Sequence, residues 1–186
     1  GVDPYKGRVT FCVVRHPYTK AVSQFLFATF IDKRFNNTVK GECTKEAVNE
    51  WLLRTLAPMA DELLALDGRS EPSEVAAAQD CHMLPQWMYV DDGETRGGSC
   101  DHVLHYENLA KEFHELMAAE DDPLQEFDLS KHKEMSTASR CELPVTELNA
   151  TSRALLDRVY ARDFERFGYA TNATTDTKSG VAIMYA

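Results

Sequence analysis

Three polar residues near the start of the chain have the types and spacing to hold a phosphate. Arg15 directly follows the largely apolar run 9–14, and Lys20 and Ser23 lie five and eight residues after Arg15. Arginine presents a planar fork of donors that matches a phosphate, while lysine adds a point charge and serine a hydroxyl. The sequence therefore predicts an anion site formed by Arg15, Lys20 and Ser23.

Two elements must position these side chains. Residues 8–14 are β-branched and aromatic, without glycine or proline, which predicts a buried strand. Pro17 suits the first position of a helix, and a stripe of apolar residues predicts that the helix covers 17–31. A helix start beside a strand end offers unpaired N–H groups that bind anions, so we expect these amides to join the site. The alternative is an ordinary strand–helix junction in which Arg15 pairs with a carboxylate.

The rest of the chain alternates between helical and strand-like patterns. The first of these helices is predicted to begin at Thr44, bend at Pro58 and end at Gly68. A short strand-like piece follows at the end of 81–90, and then a strand over 101–107 and a helix over 108–120. The last predicted element is an amphipathic helix over 151–169 that stops at Gly168. Strands separated by helices predict an α/β fold with a small parallel sheet.

Composition limits the possible functions. The 186 residues are 44% hydrophobic and 27% charged, which is typical of one globular domain. The formal net charge of −10 disfavours a broad nucleic-acid-binding face, so we expect no nucleic-acid partner. No run of 18 apolar residues occurs, so the sequence contains no predicted membrane span.

Cysteines and glycosylation sequons bear on the compartment. Three N-x-[ST] sequons begin at Asn36, Asn149 and Asn172, which favours the secretory pathway, where disulfides form. No C-x-x-C motif occurs, so we expect no structural zinc site.

The pairing of the five cysteines is predicted from their positions. Cys12 alternates within the first strand, and we expect it to be a free thiol in the core. Cys81 and Cys100 flank one loop region and are the first expected disulfide pair. The alternative, in which all five cysteines are reduced, stays open.

The segment VVRHPYTKAVSQF resembles the 3′-phosphate-binding motif of sulfotransferases that use 3′-phosphoadenosine 5′-phosphosulfate (PAPS). That motif reads R-x-P-x-x-R-x-x-S-x-[YF], and Arg15, Pro17, Ser23 and Phe25 match it. Lys20 stands where the family usually has arginine. The resemblance implies that Arg15 and Ser23 contact the 3′-phosphate of the nucleotide.

Three later segments resemble parts of the Golgi carbohydrate sulfotransferases in the same order. They are CHMLPQWMYV, CDHVLHYENLAKEF and VYARDFERFGY. The resemblance implies a P-loop-like three-layer sulfotransferase fold over 1–170. The polar composition of residues 171–186 predicts a disordered tail. It also implies PAPS as donor, a glycan as acceptor, no metal, and a place on the lumenal side of the Golgi membrane.

Family members grip the 5′-phosphosulfate with an upstream strand, loop and helix. Few residues precede the first strand here, and no G-x-x-x-x-G-K-[ST] motif occurs. We therefore expect either an N-terminally incomplete chain, with any membrane anchor outside it, or a degenerate relative.

Sulfuryl transfer needs a group that accepts the proton of the acceptor hydroxyl. His82 is the candidate base, because a histidine titrates near neutral pH; the alternative is that it orients its loop. His105 is expected to be structural or to line the cleft, and Glu107 is expected to be a helix cap or dipole partner. Two other functions remain open: a non-catalytic relative that binds a nucleotide or glycan, and a nucleotide phosphotransferase of related fold.

Overall fold

The computed structural model describes residues 7–30, 42–65, 81–90, 100–120 and 141–171. Within these ranges the strands are β1 (Phe11–Val14) and β2 (His102–His105). The α-helices there are α1 (Pro17–Phe30), α2 (Lys45–Leu56), α3 (Ala60–Ala65), α4 (Trp87–Val90), α5 (Leu109–Ala119), α6 (Ala150–Val159) and α7 (Ala161–Arg166). Short 3₁₀ helices cover Ala57–Met59, Cys81–Met83, Tyr106–Asn108 and Val145–Glu147.

The two strands form a small parallel sheet. Val14 at the end of β1 is opposite His105 at the end of β2. Parallel strands need a long crossover, and here α1 to α4 lie between them in sequence. The predicted α/β class and small parallel sheet are confirmed, and both strands are shorter than the patterns at 8–14 and 101–107 indicated.

Helix α1 lies at the centre of the core. Val22, Phe25 and Leu26 are fully buried in one cluster with residues of α2 and α6. The ring of Phe25 meets that of Trp51 edge to face, with centroids 5.7 Å apart. Each such side chain contributes about 1.5–3 kcal/mol by leaving water, so burial on nearly all sides fixes the position of α1.

The helix boundaries at the first two helices follow the predicted signals. Pro17 opens α1, and Thr44 caps α2, where its side chain accepts a hydrogen bond from the Ala47 N–H at 3.2 Å. Pro58 lies in the 3₁₀ turn that separates α2 from α3. Gly68 is outside the described residues, so the predicted end there is not compared.

The strand-like piece predicted at the end of 81–90 is wrong, because residues Trp87–Val90 form α4. The carboxylate of Asp163 accepts hydrogen bonds from the backbone N–H groups of Gln86 at 2.8 Å and Trp87 at 2.9 Å. A carboxylate at this position satisfies the free donors of a helix start. A partner distant in sequence therefore decides the local structure.

The single helix predicted over 151–169 is also wrong, because it divides into α6 and α7 at Tyr160. Tyr160 leaves helical geometry with φ −104° and ψ 21°. Its ring is buried and its hydroxyl donates to the Met83 carbonyl at 2.7 Å. Gly168 ends the segment as predicted, with a φ of 69° that favours glycine.

Two disulfides join Cys12 to Cys100 and Cys43 to Cys141. The prediction of a free thiol at Cys12 is wrong, and so is the pairing of Cys81 with Cys100. The parallel register places the segment before β2 beside β1, so the Cα atoms of Cys12 and Cys100 lie 5.6 Å apart. This is within the usual range for a disulfide.

No helix in the described residues is long and apolar enough to cross a membrane. Most of the tail predicted at 171–186 falls outside the described residues.

Candidate functional site

The side chain of Gln86 holds the backbone where β1 ends. Its Oε1 accepts a hydrogen bond from the Arg15 N–H at 2.8 Å, and its Nε2 donates to the Arg15 carbonyl at 2.7 Å. The amide thus pairs with both backbone groups of one residue, as a neighbouring strand would. This double hydrogen bond fixes the position from which the Arg15 side chain starts.

Asp163 in turn fixes Gln86. Its carboxylate is fully buried and caps α4 through the N–H groups of Gln86 and Trp87. Burial raises the pKa of Asp163, although the charge of Lys20 and these hydrogen bonds favour the carboxylate. Asp163 therefore anchors the segment 81–90 to α7.

Arg15 is half-buried, and most donors of its guanidinium have no acceptor among the described residues. Nε donates to Thr19 Oγ1 at 3.1 Å, and the group lies over the ring of Tyr106, 4.3 Å from the centroid. Within the described residues, Nη1 and Nη2 make no hydrogen bond and Arg15 forms no ion pair. Burial lowers the pKa of Arg15, but arginine stays charged at neutral pH. The carboxylate of Glu107 acts on Arg15 through its charge, which favours the charged guanidinium, but it forms no ion pair with Arg15 in the described part of the chain.

The start of α1 is less open than the sequence predicted. The His16 N–H donates to Glu107 Oε1 at 2.9 Å, and the Tyr18 N–H donates to Nδ1 of His16 at 3.2 Å. Pro17 has no N–H. Protein acceptors therefore occupy the N–H groups of His16 and Tyr18, and the Thr19 N–H is the amide of this first turn that stays a candidate for the phosphate.

Glu107 links separate parts of the fold through its carboxylate. Its second oxygen accepts a hydrogen bond from the hydroxyl of Tyr169 at 2.9 Å, so it ties the chain after β2 to both α1 and the segment after α7. His105 is likewise structural: its ring contacts Glu112 Oε2 at 3.3 Å and the Phe167 carbonyl at 3.2 Å. Both residues thus have contacts within the fold, and those of Glu107 are made to His16 and Tyr169 and not to the helix that Glu107 begins.

His16 is held as a neutral imidazole. Nδ1 accepts from Tyr18, so Nε2 carries the proton and donates to the Ala170 carbonyl at 3.1 Å. Burial lowers the pKa of His16, while Glu107 acts in the opposite direction. Both ring nitrogens therefore serve the fold.

Lys20 and Ser23 follow Arg15 on α1 but differ in what they contact. Nζ of Lys20 donates to the Leu84 carbonyl at 2.5 Å and lies 4.8 Å from the ring centroid of Tyr160. Ser23 is half-buried one turn after Thr19, on the same helix face. Arg15, Thr19 and Ser23 therefore form one row, whereas the ammonium of Lys20 is directed to the segment 81–90.

His82 is exposed and lies beside a later part of α1. Its ring centroid is 5.9 Å from that of Phe27. Phe27 follows Thr19 by eight residues, about 12 Å along the helix axis. The structure therefore does not place His82 in the row that contains Arg15.

A cavity of about 460 Å³ is lined in part by Tyr169. Asp157 and Glu165 supply its charged groups, together with the ring of Phe164. Two carboxylates disfavour a polyanionic ligand. We therefore place the candidate phosphate site at Arg15 and not in this cavity.

Several residues of the site were not assigned a role from the sequence. They are Thr19, Gln86, Tyr106, Asp163 and Tyr169. All except Thr19 lie in the segments that resemble the carbohydrate sulfotransferases, so the signal was their place in those segments. Among the described residues, no group of three or more His, Cys, Asp or Glu side chains could hold a metal ion.

A family model described as "Sulfotransferase family" matches residues 4–170. This range contains all four of the segments whose side chains meet at the end of β1. No curated protein and no solved structure gives a significant match.

Proposed function

The chain belongs to the sulfotransferase family, and on this basis we propose that it transfers a sulfuryl group from PAPS to a hydroxyl of a carbohydrate. The observation that carries the proposal is the state of Arg15. A half-buried arginine at a strand end, with two guanidinium nitrogens unpartnered among the described residues, is suited to receive a phosphate.

Two side chains next to Arg15 complete the proposed grip on the 3′-phosphate. Thr19 orients the guanidinium through Nε, which leaves Nη1 and Nη2 for the ligand. Ser23 lies one turn further along the same face and offers a hydroxyl. Bound PAPS would supply the sulfuryl group, and these residues would hold its nucleotide end.

We propose different roles for the other two candidate residues. Lys20 supports the site by holding the segment 81–90, and it adds positive charge near the nucleotide. His82 is the proposed acceptor for the proton of the carbohydrate hydroxyl, since imidazole can take up a proton as a general base and this side chain is exposed.

The proposed place of action is the lumen of the Golgi. Two disulfides favour an oxidising compartment, and the three sequons agree with passage through the secretory pathway. The four ordered segments that resemble the Golgi carbohydrate enzymes support a glycan acceptor.

Calorimetric binding of 3′,5′-ADP tests the donor site. Arg15→Ala and Ser23→Ala should each weaken binding by about 1–3 kcal/mol, the range for losing hydrogen bonds to a charged group. Arg54→Ala is the control, because it removes the same charge from an exposed helix position. Unchanged affinity in Arg15→Ala would contradict the proposed site.

The same measurement separates the alternative functions. ATP binding as tight as that of 3′,5′-ADP would indicate a nucleotide phosphotransferase. Tight binding of 3′,5′-ADP by the complete natural protein, without transfer of radiolabelled sulfate from PAPS to a panel of glycans, would indicate a non-catalytic relative.

A further inference from the structure

We propose that Asn149 carries an N-linked glycan. Of the three sequons, the one at Asn149-Ala150-Thr151 lies in the described part of the chain, and both Asn149 and Thr151 are exposed. The proposal concerns modification of this chain and does not depend on the donor or acceptor proposed above.

The cap of α6 presents the reactive atom of Asn149 to solvent. Oδ1 accepts a hydrogen bond from the Ser152 N–H at 2.8 Å, which fixes the side-chain amide at the helix start. Nδ2, the atom that a glycan would modify, makes no hydrogen bond within the described residues. A substituent on Nδ2 therefore leaves the cap intact.

The backbone around the sequon is fixed by hydrogen bonds from the side chains of Asn49 and Arg153. Asn49 is buried; its Oδ1 accepts from the Asn149 N–H at 2.9 Å, and its Nδ2 donates to the Glu147 carbonyl at 2.8 Å. Arg153 donates to the carbonyls of Leu148 at 2.9 Å and Val145 at 2.7 Å. These contacts hold the backbone of the turn, while Asn149 and Thr151 themselves are exposed, so the sequon has room for a large group.

The two disulfides provide an independent reason to place this chain where the reaction occurs. Cys43–Cys141 joins the residue before Thr44 to the segment that leads to Asn149. Disulfides of this kind form in the same oxidising compartment in which glycans are added to N-x-[ST] sequons.

The reaction uses a polyprenyl-diphosphate-linked oligosaccharide as its second reactant. Nδ2 forms a bond to the anomeric carbon of the first sugar as the bond from that carbon to the diphosphate oxygen breaks. Nδ2 loses one proton, and the polyprenyl diphosphate leaves with the electron pair. No oxidation or reduction takes place.

A glycan at Asn149 would lie away from the end of β1. Asp157 accepts a hydrogen bond from the hydroxyl of Tyr18, which belongs to the first turn of α1. Asn149 precedes Asp157 by eight residues, about 12 Å along the axis of α6. The glycan should therefore leave nucleotide binding unchanged.

The test uses the full chain with Thr38→Ala and Thr174→Ala, so that Asn149 lies in the one sequon left. The protein is expressed behind a secretion signal in eukaryotic cells, and the secreted, disulfide-bonded fraction is analysed. We expect one shift in mobility that peptide N-glycosidase removes, together with conversion of Asn149 to aspartate in the peptide mass spectrum. An unmodified Asn149 in that fraction would overturn the proposal.

Two variants of this chain separate the glycan from the cap. Thr151→Ala removes the sequon and keeps the cap, so it should abolish the mobility shift. The affinity for 3′,5′-ADP should change by less than about twofold, which is well below the tenfold change that corresponds to 1.4 kcal/mol. Asn149→Asp should abolish the shift and still cap α6. A mobility shift that survives in either variant would place the glycan elsewhere and contradict the assignment.

Discussion

The side-chain amide of Gln86 hydrogen-bonds to both the N–H and the carbonyl of Arg15. Gln86 is itself fixed by the buried carboxylate of Asp163, so a chain of contacts runs from α7 to the end of β1. The arginine that we assign to the nucleotide is therefore positioned by residues that need not touch the ligand.

Gln86→Ala should weaken both folding and nucleotide binding. Loss of the two hydrogen bonds should lower the free energy of unfolding by about 1–3 kcal/mol, at 0.5–1.5 kcal/mol for each bond. Chemical denaturation measures this loss, and calorimetry with 3′,5′-ADP measures affinity in the folded fraction. Glu165→Ala, an exposed change on α7, should alter neither. If Gln86→Ala lost stability but kept full affinity, Gln86 would not position Arg15.

Lys20→Met should mainly lower stability, whereas Ser23→Ala should mainly lower the affinity for 3′,5′-ADP. Lys20 bonds to the Leu84 carbonyl and offsets the buried charge of Asp163, so its replacement should lower the free energy of unfolding by about 1–3 kcal/mol. Its effect on 3′,5′-ADP affinity in the folded fraction should be smaller than that of Ser23→Ala. Parallel denaturation and binding curves compare the two variants. The reverse order of affinities would show that Lys20, and not Ser23, holds the phosphate.

Stability should rise with pH as His16 loses its proton. The fold lowers the pKa of His16 below its usual value near 6.5, so the unfolded chain binds the proton more readily. As the pH falls through about 6.5 toward the lower pKa of the folded state, the native state should lose stability. Melting temperatures across this window measure the slope.

His16→Gln should reduce that slope, because glutamine can accept and donate a hydrogen bond without titrating. His82→Gln is the matched control, since it removes an exposed histidine. An NMR titration that gives His16 a pKa at or above 6.5 in the folded protein would contradict the neutral assignment.

The two disulfides should differ in their effects. Each joins residues far apart in sequence, by 88 and 98 positions, so removing either should cost about 2–5 kcal/mol of stability. Cys12 belongs to β1, close to Arg15, so Cys12→Ala with Cys100→Ala should also weaken 3′,5′-ADP binding in the folded fraction. Cys43→Ala with Cys141→Ala should leave that affinity unchanged. Equal affinities in the two double variants would show that the first disulfide does not support the site.

Local patterns in the sequence predicted much of the fold. The β-branched run before Arg15, the proline at the start of α1 and the cap at Thr44 act over a few residues, so their signals are readable without tertiary contacts. The parallel sheet also followed from the alternation of strands with helices.

The wrong predictions about secondary structure and disulfides depended on partners distant in sequence. The segment 87–90 is helical because Asp163 caps it, and α6 ends because the buried ring of Tyr160 requires a bend. Cys12 pairs with Cys100 because of the strand register. Local patterns in a single sequence do not show which residues distant in sequence will contact a given segment in the fold.

The same limit applies to the site. The spacing of Arg15 and Ser23 predicted an anion site, but the occupation of the first α1 amides by Glu107 and by His16 itself could not be read from periodicity. Gln86 could be singled out only because it lies in a segment that resembles the carbohydrate sulfotransferases, and nothing in the sequence indicated a role for Thr19.

The strand end is assembled from remote parts of the chain, and this bears on how the protein folds. The backbone N–H groups of Arg15 and His16 bond to Gln86 at a separation of 71 residues and to Glu107 at 91, and the His16 ring bonds to the Ala170 carbonyl at 154. Such high contact order slows folding, since long loops must close before the contacts form. A partly folded chain would hold Arg15 in no defined place, so a nucleotide that binds there recognises only the finished native state and protects it by mass action.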